Sequence, residues 1–262
     1  MFTGLGDAEN QFRVSKIKTK NMKKIFTILT VVALTTTVSF AQFGIKAGLN
    51  LANVVNNDDD SDNGMKLGMI IGANYNAELS DVMSLDVSVA FKQSGTKETY
   101  EETSTDPWGT YKYESTSTIA LNYLDISPSL SFNLSDAMAL SFGPYLAFAL
   151  SGKAKYESTQ TISGTGTSDD GSTTQSDEES IDFGDGDNDD GIKATDFGLN
   201  FGAKFSINDA ISVNAGYSMG LTNLLYIDSD MEDYYDSINE DVPSIKNMGI
   251  NVGVTYSFGG RY

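Results

Sequence analysis

Two neighbouring segments alternate strictly between apolar and non-apolar residues, and this pattern limits the fold more than any other feature. From Phe197 to Ile207 and from Ile211 to Leu221 every second residue is apolar, and the residues between are glycine, polar or charged. A period of two residues is typical of a β-strand, and the short turn between the segments makes them a hairpin. The sequence offers no second apolar layer to cover the apolar face, so we expect that face to meet lipid. The glycine-rich face suits the interior of a narrow closed barrel.

The same alternation recurs along the chain and gives eight predicted strands. The six further segments are residues 43–51, 65–79, 85–91, 124–134, 140–150 and 248–258. The longest of them exceeds the roughly 9–11 residues that cross a bilayer at a tilt.

The connections between these strands alternate between short turns and long acidic loops. Each short turn carries Asp beside Ser or Asn, which suits a tight turn. The long loops cover residues 54–63, 93–118, 152–193 and 223–246. This arrangement is typical of outer-membrane barrels. The predicted fold is all-β: an eight-stranded antiparallel transmembrane up-and-down β-barrel with short periplasmic turns and long acidic extracellular loops.

The first 41 residues differ in character from the rest of the chain. Met22–Lys24 is basic, residues 25–38 are a short apolar run, and Ser39 and Ala41 are small. This is the pattern of a secretory signal peptide. We therefore divide the chain into an upstream segment at 1–21 that is untranslated or disordered, a signal peptide at 22–41 and a barrel domain at 42–262.

Composition excludes several classes of function. The chain has no Cys and no His, which removes thiolate metal sites and the commonest general base, so neither an enzyme nor a cofactor is predicted. Its formal charge is −19; removing residues 1–41 takes away six of 17 basic and two of 36 acidic residues, leaving a charge near −23. Such a charge argues against a nucleic-acid partner.

Four short motifs carry a resemblance to a known family. They are Phe43–Asn50, Tyr123–Pro128, Gly143–Tyr145 and Gly253–Phe258. In their order and spacing the chain resembles the PorT-like outer-membrane β-barrel family of Gram-negative bacteria over essentially all of 42–262. The second motif departs from the family pattern because Ser127 separates the isoleucine from the proline. The resemblance implies an eight-stranded barrel, with some relatives linked to secretion across the outer membrane, and implies no catalytic site.

Ionisable residues of both signs fall on the predicted inward face of the strands. They are Lys46, Lys66, Lys92, Lys204, Glu78, Asp86, Asp125 and Asp196. Because an unpaired charge in a narrow lumen is costly, we expect paired ladders that fill the bore. The alternative is a path for protons or ions.

The loop around residues 182–191 carries carboxylates at alternate positions. Asp185, Asp187 and Asp189 are therefore a weak calcium candidate, although the loop lacks the glycine and the final glutamate of an EF-hand. The alternative is a solvated acidic loop that meets lipopolysaccharide only through divalent cations. The ten carboxylates of residues 163–192 lead us to expect disorder there without such cations.

Near-duplicate segments occur at Lys112–Thr116 and Lys155–Thr159. Folding the chain back at the Ser135–Asp136 turn places them opposite each other, so two strands are expected to continue beyond the bilayer as a polar ribbon. Such a ribbon is either a loop stem or a surface for adhesion. Tyrosines at the external end, including Tyr111, Tyr226, Tyr234 and Tyr235, are expected to form an interfacial aromatic belt with Trp108.

Two classes of function remain. The first is a non-enzymatic structural or interaction protein of the outer membrane, accessory to secretion or envelope integrity, with lipid, lipopolysaccharide or an envelope protein as its partner. The second is a porin-like pathway for small molecules or ions.

Overall fold

The computed structural model describes residues 42–56, 64–164, 170–184, 191–227, 229–238 and 240–259. The chain separates into residues 1–40 and 41–262, and every described residue belongs to the second unit. The predicted upstream segment and signal peptide lie outside the described residues, as do Asp185, Asp187 and Asp189 of the calcium candidate.

The described part of the chain contains nine strands and one helix. Their bounds are β1 Phe43–Asn56, β2 Lys66–Ser80, β3 Met83–Asp106, β4 Gly109–Asn133, β5 Met138–Ser163, β6 Gly171–Ile181, β7 Thr195–Ser206, β8 Ile211–Gly220, α1 Ser229–Ile238 and β9 Ile245–Ser257. Within this part, no helix is long and apolar enough to cross a membrane.

Eight of these strands form a closed antiparallel ring, which confirms the predicted fold. The order around the ring is β1, β2, β3, β4, β5, β7, β8 and β9. Pairing of β1 with β9, from Gly44 opposite Ser257 to Asn56 opposite Ile245, closes it. β6 stands outside the ring and pairs with the second half of β5. Closure leaves no free strand edge within the barrel wall.

The apolar alternation points outward, as the sequence predicts. On β2, Leu67 and Ile71 are 60 % and 57 % exposed, whereas Gly68 between them is buried. The outward side chains of the other ring strands are likewise exposed and apolar. A water-facing surface of this kind would be strongly unfavourable, and lipid removes that cost.

Three strands run far past the ring at the end that carries the long loops. β3, β4 and β5 have 24, 25 and 26 residues, whereas β7 and β8 have 12 and 10. We call this end the loop end and the opposite one the turn end. Residues 97–106, 109–118, 153–163 and 171–181 form a four-stranded antiparallel sheet beyond the ring, which we call the ribbon.

The ribbon includes the predicted pairing of the duplicated segments, with Ser115 opposite Ser158. It differs from the sequence-based expectation in two respects. Residues 171–181 form β6 instead of being disordered, because the edge of β5 offers them a continuous partner. Trp108 lies in the turn at the ribbon tip, not in a belt beside the barrel, and is 79 % exposed.

The loop between β8 and β9 also differs from the prediction, since it contains α1. This helix is acidic and most of its described side chains are exposed. The amide of Glu240 donates to the carbonyl of Tyr235 at 3.1 Å at its C-terminal end.

Candidate functional site

Asp196 is the most deeply buried acid of the bore, with 2 % of its surface exposed. Its Oδ2 atom accepts hydrogen bonds from the Tyr145 hydroxyl at 3.0 Å and from Asn247 Nδ2 at 2.9 Å. The acceptor lies on β7 and its two donors lie on β5 and β9, so the contacts join three ring strands. Gly198 leaves room for the tyrosine, because a Cβ atom there would lie 2.5 Å from the Tyr145 ring. The carboxyl group therefore links strands across the bore.

Lys92 provides a second link across the bore. Its Nζ atom donates to Ser218 Oγ at 3.1 Å, lies 4.0 Å from Asp125 Oδ2 and stands 5.1 Å from the centre of the Tyr145 ring. Asp125 also accepts a hydrogen bond from the Ser127 hydroxyl. Lys92 is 9 % exposed and Asp125 is 4 % exposed, so the pair is well shielded from solvent.

Asp86 lies nearer the turn end and is held by neutral donors. Asn76 Nδ2 donates to its Oδ1 atom at 2.7 Å, and the Ser131 hydroxyl donates to Oδ2. The same Asn76 nitrogen lies 3.1 Å from Ser84 Oγ. Amide and hydroxyl groups therefore donate hydrogen bonds to the Asp86 carboxylate, whereas the sequence-based hypothesis expected it to pair with a lysine.

The eight predicted bore residues do not form the expected paired ladders. Among the described residues, Lys92 and Asp125 are the one bore pair within 4.0 Å. Lys46, Lys66 and Lys204 are half-buried, and Glu78 is exposed at the turn end. Alternation specified which side of the wall each residue occupies, but not which residue lies across the bore.

An apolar cluster closes the loop end of the bore. We call it the apolar cap, and its buried members are Leu121, Tyr123, Tyr145, Ala147 and Leu224, with Ile119, Ala149, Ile181, Phe183, Ile192 and Ile245 packed against them. Leu224 is fully buried.

Backbone hydrogen bonds connect the loops that supply this cap. The amide of Lys193 donates to the carbonyl of Leu224 at 2.7 Å, and the amide of Leu224 donates to the carbonyl of Ile245 at 2.8 Å. The sequence analysis missed these residues; the available signal was the presence of isolated large apolar residues, such as Phe183 and Ile192, within acidic loops.

The ribbon has two chemically different faces. The strand pairing identifies the residues of each face, because residues directly opposite each other on antiparallel strands lie on the same face. One face, the lysine face, carries Lys97, Lys112, Lys153 and Lys155 with Glu101, Glu114, Glu157 and Glu178. The other, the tyrosine face, carries Tyr100, Tyr111, Tyr113 and Tyr156 with Glu98, Glu102, Asp106, Asp177 and Glu179.

Hydrogen bonds perturb several ribbon side chains. Lys153 Nζ lies 2.5 Å from Glu178 Oε1 and holds the pKa of Glu178 below its usual range. On the opposite face, the hydrogen bond between the hydroxyls of Tyr113 and Tyr156, 2.6 Å apart, raises the pKa of Tyr113. A hydrogen bond to Glu102 raises the pKa of Tyr100.

Among the described residues, no group of three or more carboxylates could hold a metal ion. The described bore and ribbon instead present hydrogen-bonding, aromatic and charged side chains.

Comparison with a family model places the chain among outer-membrane β-barrel proteins. The sequence matches the family described as outer membrane protein beta-barrel domain over residues 32–226. None of the curated proteins matches it. Similar solved structures include Ail of Yersinia pestis, at 15 % identity and TM-score 0.36, and Neisserial surface protein A, at 12 % and 0.36; each comparison covers 82 % of this chain and 97 % of the other. CarO of Acinetobacter baumannii follows at 10 % identity and TM-score 0.31, covering 81 % and 97 %.

Proposed function

The chain belongs to the outer membrane protein beta-barrel domain family, and we propose that it is a non-enzymatic interaction protein whose binding surface is the ribbon. The observation that supports this most is the contrast between a filled, capped bore and a long, exposed sheet beyond it. A passage for solutes needs an open lumen, whereas binding needs accessible surface.

The size of the ring supports the closed-bore reading over the porin-like alternative. A barrel of eight strands has an interior just wide enough for side chains to fill, and open aqueous channels generally need about 16 strands. Here Lys92 and Asp196 are buried in the lumen, beside Tyr123 and Tyr145 of the apolar cap. The absence of His and Cys from the sequence supports a non-enzymatic role.

The orientation we propose places the turn end in the periplasm and the ribbon outside the cell. An exported chain with an even number of ring strands keeps both ends on the periplasmic side, and short periplasmic turns are usual in such barrels. We propose that residues 22–41 act as a signal peptide for export and are removed by cleavage after Ala41. N-terminal sequencing of membrane-inserted protein should yield Gln42, and recovery of an intact Met1 end would contradict the proposal.

Within the family, we place the chain with PorT-like barrels on the four motifs of the sequence, and we propose a role accessory to secretion or envelope integrity. The outward apolar side chains suit contact with lipid. The acidic loops favour contact with lipopolysaccharide through divalent cations, because both surfaces are anionic.

Photo-cross-linking in living cells tests whether the ribbon is the binding surface. A photoreactive residue replaces Trp108 at the ribbon tip or Tyr100 on the tyrosine face, and matched variants carry it at the exposed turn-end residues Asp136 and Asp209. We expect discrete adducts from the ribbon positions and none from the turn-end positions. Adducts from the turn end alone, or from no position, would contradict the proposal.

A further inference from the structure

The ribbon separates its charges by face. All four of its lysines lie on the lysine face, where four glutamates balance them. The tyrosine face has five carboxylates, and the described ribbon residues place no lysine on it. A sheet that merely remained soluble would not need this separation, since mixed charges on both faces serve that purpose.

Ion pairing reinforces the separation. On the lysine face, Lys112 pairs with Glu114 at 2.8 Å and Lys155 pairs with Glu157 at 3.0 Å. Lys153 and Glu178 form a third pair on the same face. Within the described part of the chain, no carboxylate of the tyrosine face is in an ion pair within 4.0 Å. The lysine face is internally neutralised, and the tyrosine face retains its negative potential.

On the tyrosine face, carboxylates lie along the two outer strands of the ribbon, β3 and β6, and we call these two rows of carboxylates the rails. Glu98 and Glu102 lie on β3, at one edge of the sheet, and Asp177 and Glu179 lie on β6, at the other. At about 4.8 Å between neighbouring strands, the two rails stand roughly 14 Å apart. Carboxylates this far apart cannot converge on one metal ion, whose oxygen ligands lie within about 2.6 Å.

Tyr113 and Tyr156 lie on the two strands between the rails, and Tyr100 lies on β3 between Glu98 and Glu102. Tyr113 on β4 and Tyr156 on β5 share the hydroxyl contact described above, and the rings of Tyr100 and Tyr113 have centres 6.3 Å apart. Tyr100 is 54 % exposed and Tyr156 is 44 % exposed, so both rings are accessible from outside. Exposed aromatic faces attract cations, and the planar guanidinium group stacks on them more readily than an ammonium group does.

We propose that the tyrosine face binds an arginine-rich, extended peptide segment of a partner protein, with guanidinium groups over the tyrosines and against the carboxylate rails. This inference rests on the proposed function and specifies the chemistry of the partner. A segment of about four or five residues spans the rails, at roughly 3.3 Å per extended residue.

A labelled nonapeptide of alternating arginine and serine tests the inference by fluorescence anisotropy with the full-length protein in lipid nanodiscs. Two variants raise the net charge equally: E98Q/E102Q/D177N/E179Q on the tyrosine face and E101Q/E114Q/E157Q/E178Q on the lysine face. We expect the first to weaken binding about tenfold, which is about 1.4 kcal/mol, and the second to change it less than about twofold. Equal losses would show that the peptide senses only net charge and would overturn the inference, as would the absence of binding by the unaltered protein.

The tyrosines supply an independent test. Y113F/Y156F retains the rings and should bind as well as the unaltered protein, whereas Y113L/Y156L should bind about threefold more weakly. The lysine counterpart of the peptide should bind less tightly than the arginine peptide. Equal binding by the leucine and phenylalanine variants would contradict the aromatic part of the proposal.

Recordings of conductance with the same purified protein in planar bilayers keep this inference separate from the proposed function. A conducting bore would contradict the proposed function and leave the peptide result standing. Loss of face specificity with a silent bore would contradict the inference alone.

Discussion

Three strands, β3, β4 and β5, run through both the barrel wall and the ribbon, yet their side chains follow different rules in the two regions. In the wall, outward residues such as Leu124 are apolar and inward residues such as Asp125 are polar and buried. In the ribbon, both faces are polar and accessible. The apolar alternation is therefore confined to the part of each strand that faces lipid. Beyond it, backbone pairing continues the strand without an apolar pattern.

The two regions are also stabilised differently. Buried hydrogen bonds in the bore, such as those of Asp196, and packing in the apolar cap stabilise the wall. The ribbon depends on its main-chain ladder and on surface ion pairs, each of which contributes about 0–1 kcal/mol. Substitutions in the wall should therefore lower the free energy of unfolding much more than substitutions in the ribbon do.

The largest effect is expected from Lys92→Met. This change leaves Asp125 buried without its nearby cation and removes the hydrogen bond to Ser218, so the free energy of unfolding should fall by about 3–5 kcal/mol. Urea unfolding in lipid vesicles, followed by circular dichroism, measures it. Lys66→Met and Lys204→Met are matched controls, because among the described residues neither lysine has a carboxylate within 4.0 Å, and each should cost below about 1 kcal/mol. Equal losses in all three variants would contradict the assignment of the pair.

Leu224→Ala should have the next largest effect, because it removes a fully buried side chain from the apolar cap. We expect a loss of about 3 kcal/mol in the same unfolding measurement. Leu134→Ala, at an exposed position of the turn end, is the control and should change stability little. A neutral Leu224→Ala variant would show that the cap does not pack as described.

Gly95→Ala tests the junction where β3 passes from wall to ribbon. Gly95 has a φ angle of 119°, and a Cβ atom there would lie 1.9 Å from the carbonyl oxygen of Ile119. We expect a loss of about 2 kcal/mol, accompanied by faster amide exchange in the ribbon while the wall stays protected. Uniform loss of protection across the wall would indicate that the two regions unfold as one.

The smallest effect concerns the pH dependence of β6. Because Lys153 lowers the pKa of Glu178, their pairing stabilises β6 above the ordinary glutamate pKa, about 4.3, and is lost as pH falls through the lowered value. Protection factors of β6 amides should therefore decrease modestly between pH 6 and 3. Lys153→Met should abolish that decrease, and an unchanged decrease in the variant would assign it to other groups.

Sequence reasoning predicts the ring well, for a physical reason. Lipid outside and a narrow lumen inside impose a period of two on every ring strand, so segments such as 197–207 specify both their structure and their outward face. The duplicated segments similarly indicated that β4 and β5 continue beyond the ring. No equivalent pattern marks β6, because both of its faces are exposed and polar.

The bore network shows where that reasoning ends. Alternation places Asp196 and Asn247 inside, but their contact depends on the stagger of strands around the closed ring, which a local pattern does not encode. The apolar cap likewise forms from loops far apart in sequence, around Phe183, Ile192 and Leu224. The sequence shows its loop members as isolated apolar residues, but no local pattern indicates that they pack together.

A closed bore, with function in the ribbon, is the central claim, and single-channel recording in planar bilayers tests the closed bore directly. Purified, folded protein should give no stable or reproducible conductance, because side chains fill the lumen and the apolar cap covers its loop end. Steady steps of uniform size that change when Lys92 is replaced by Met would show ions passing the Lys92 position. That result would contradict the account and favour the porin-like alternative.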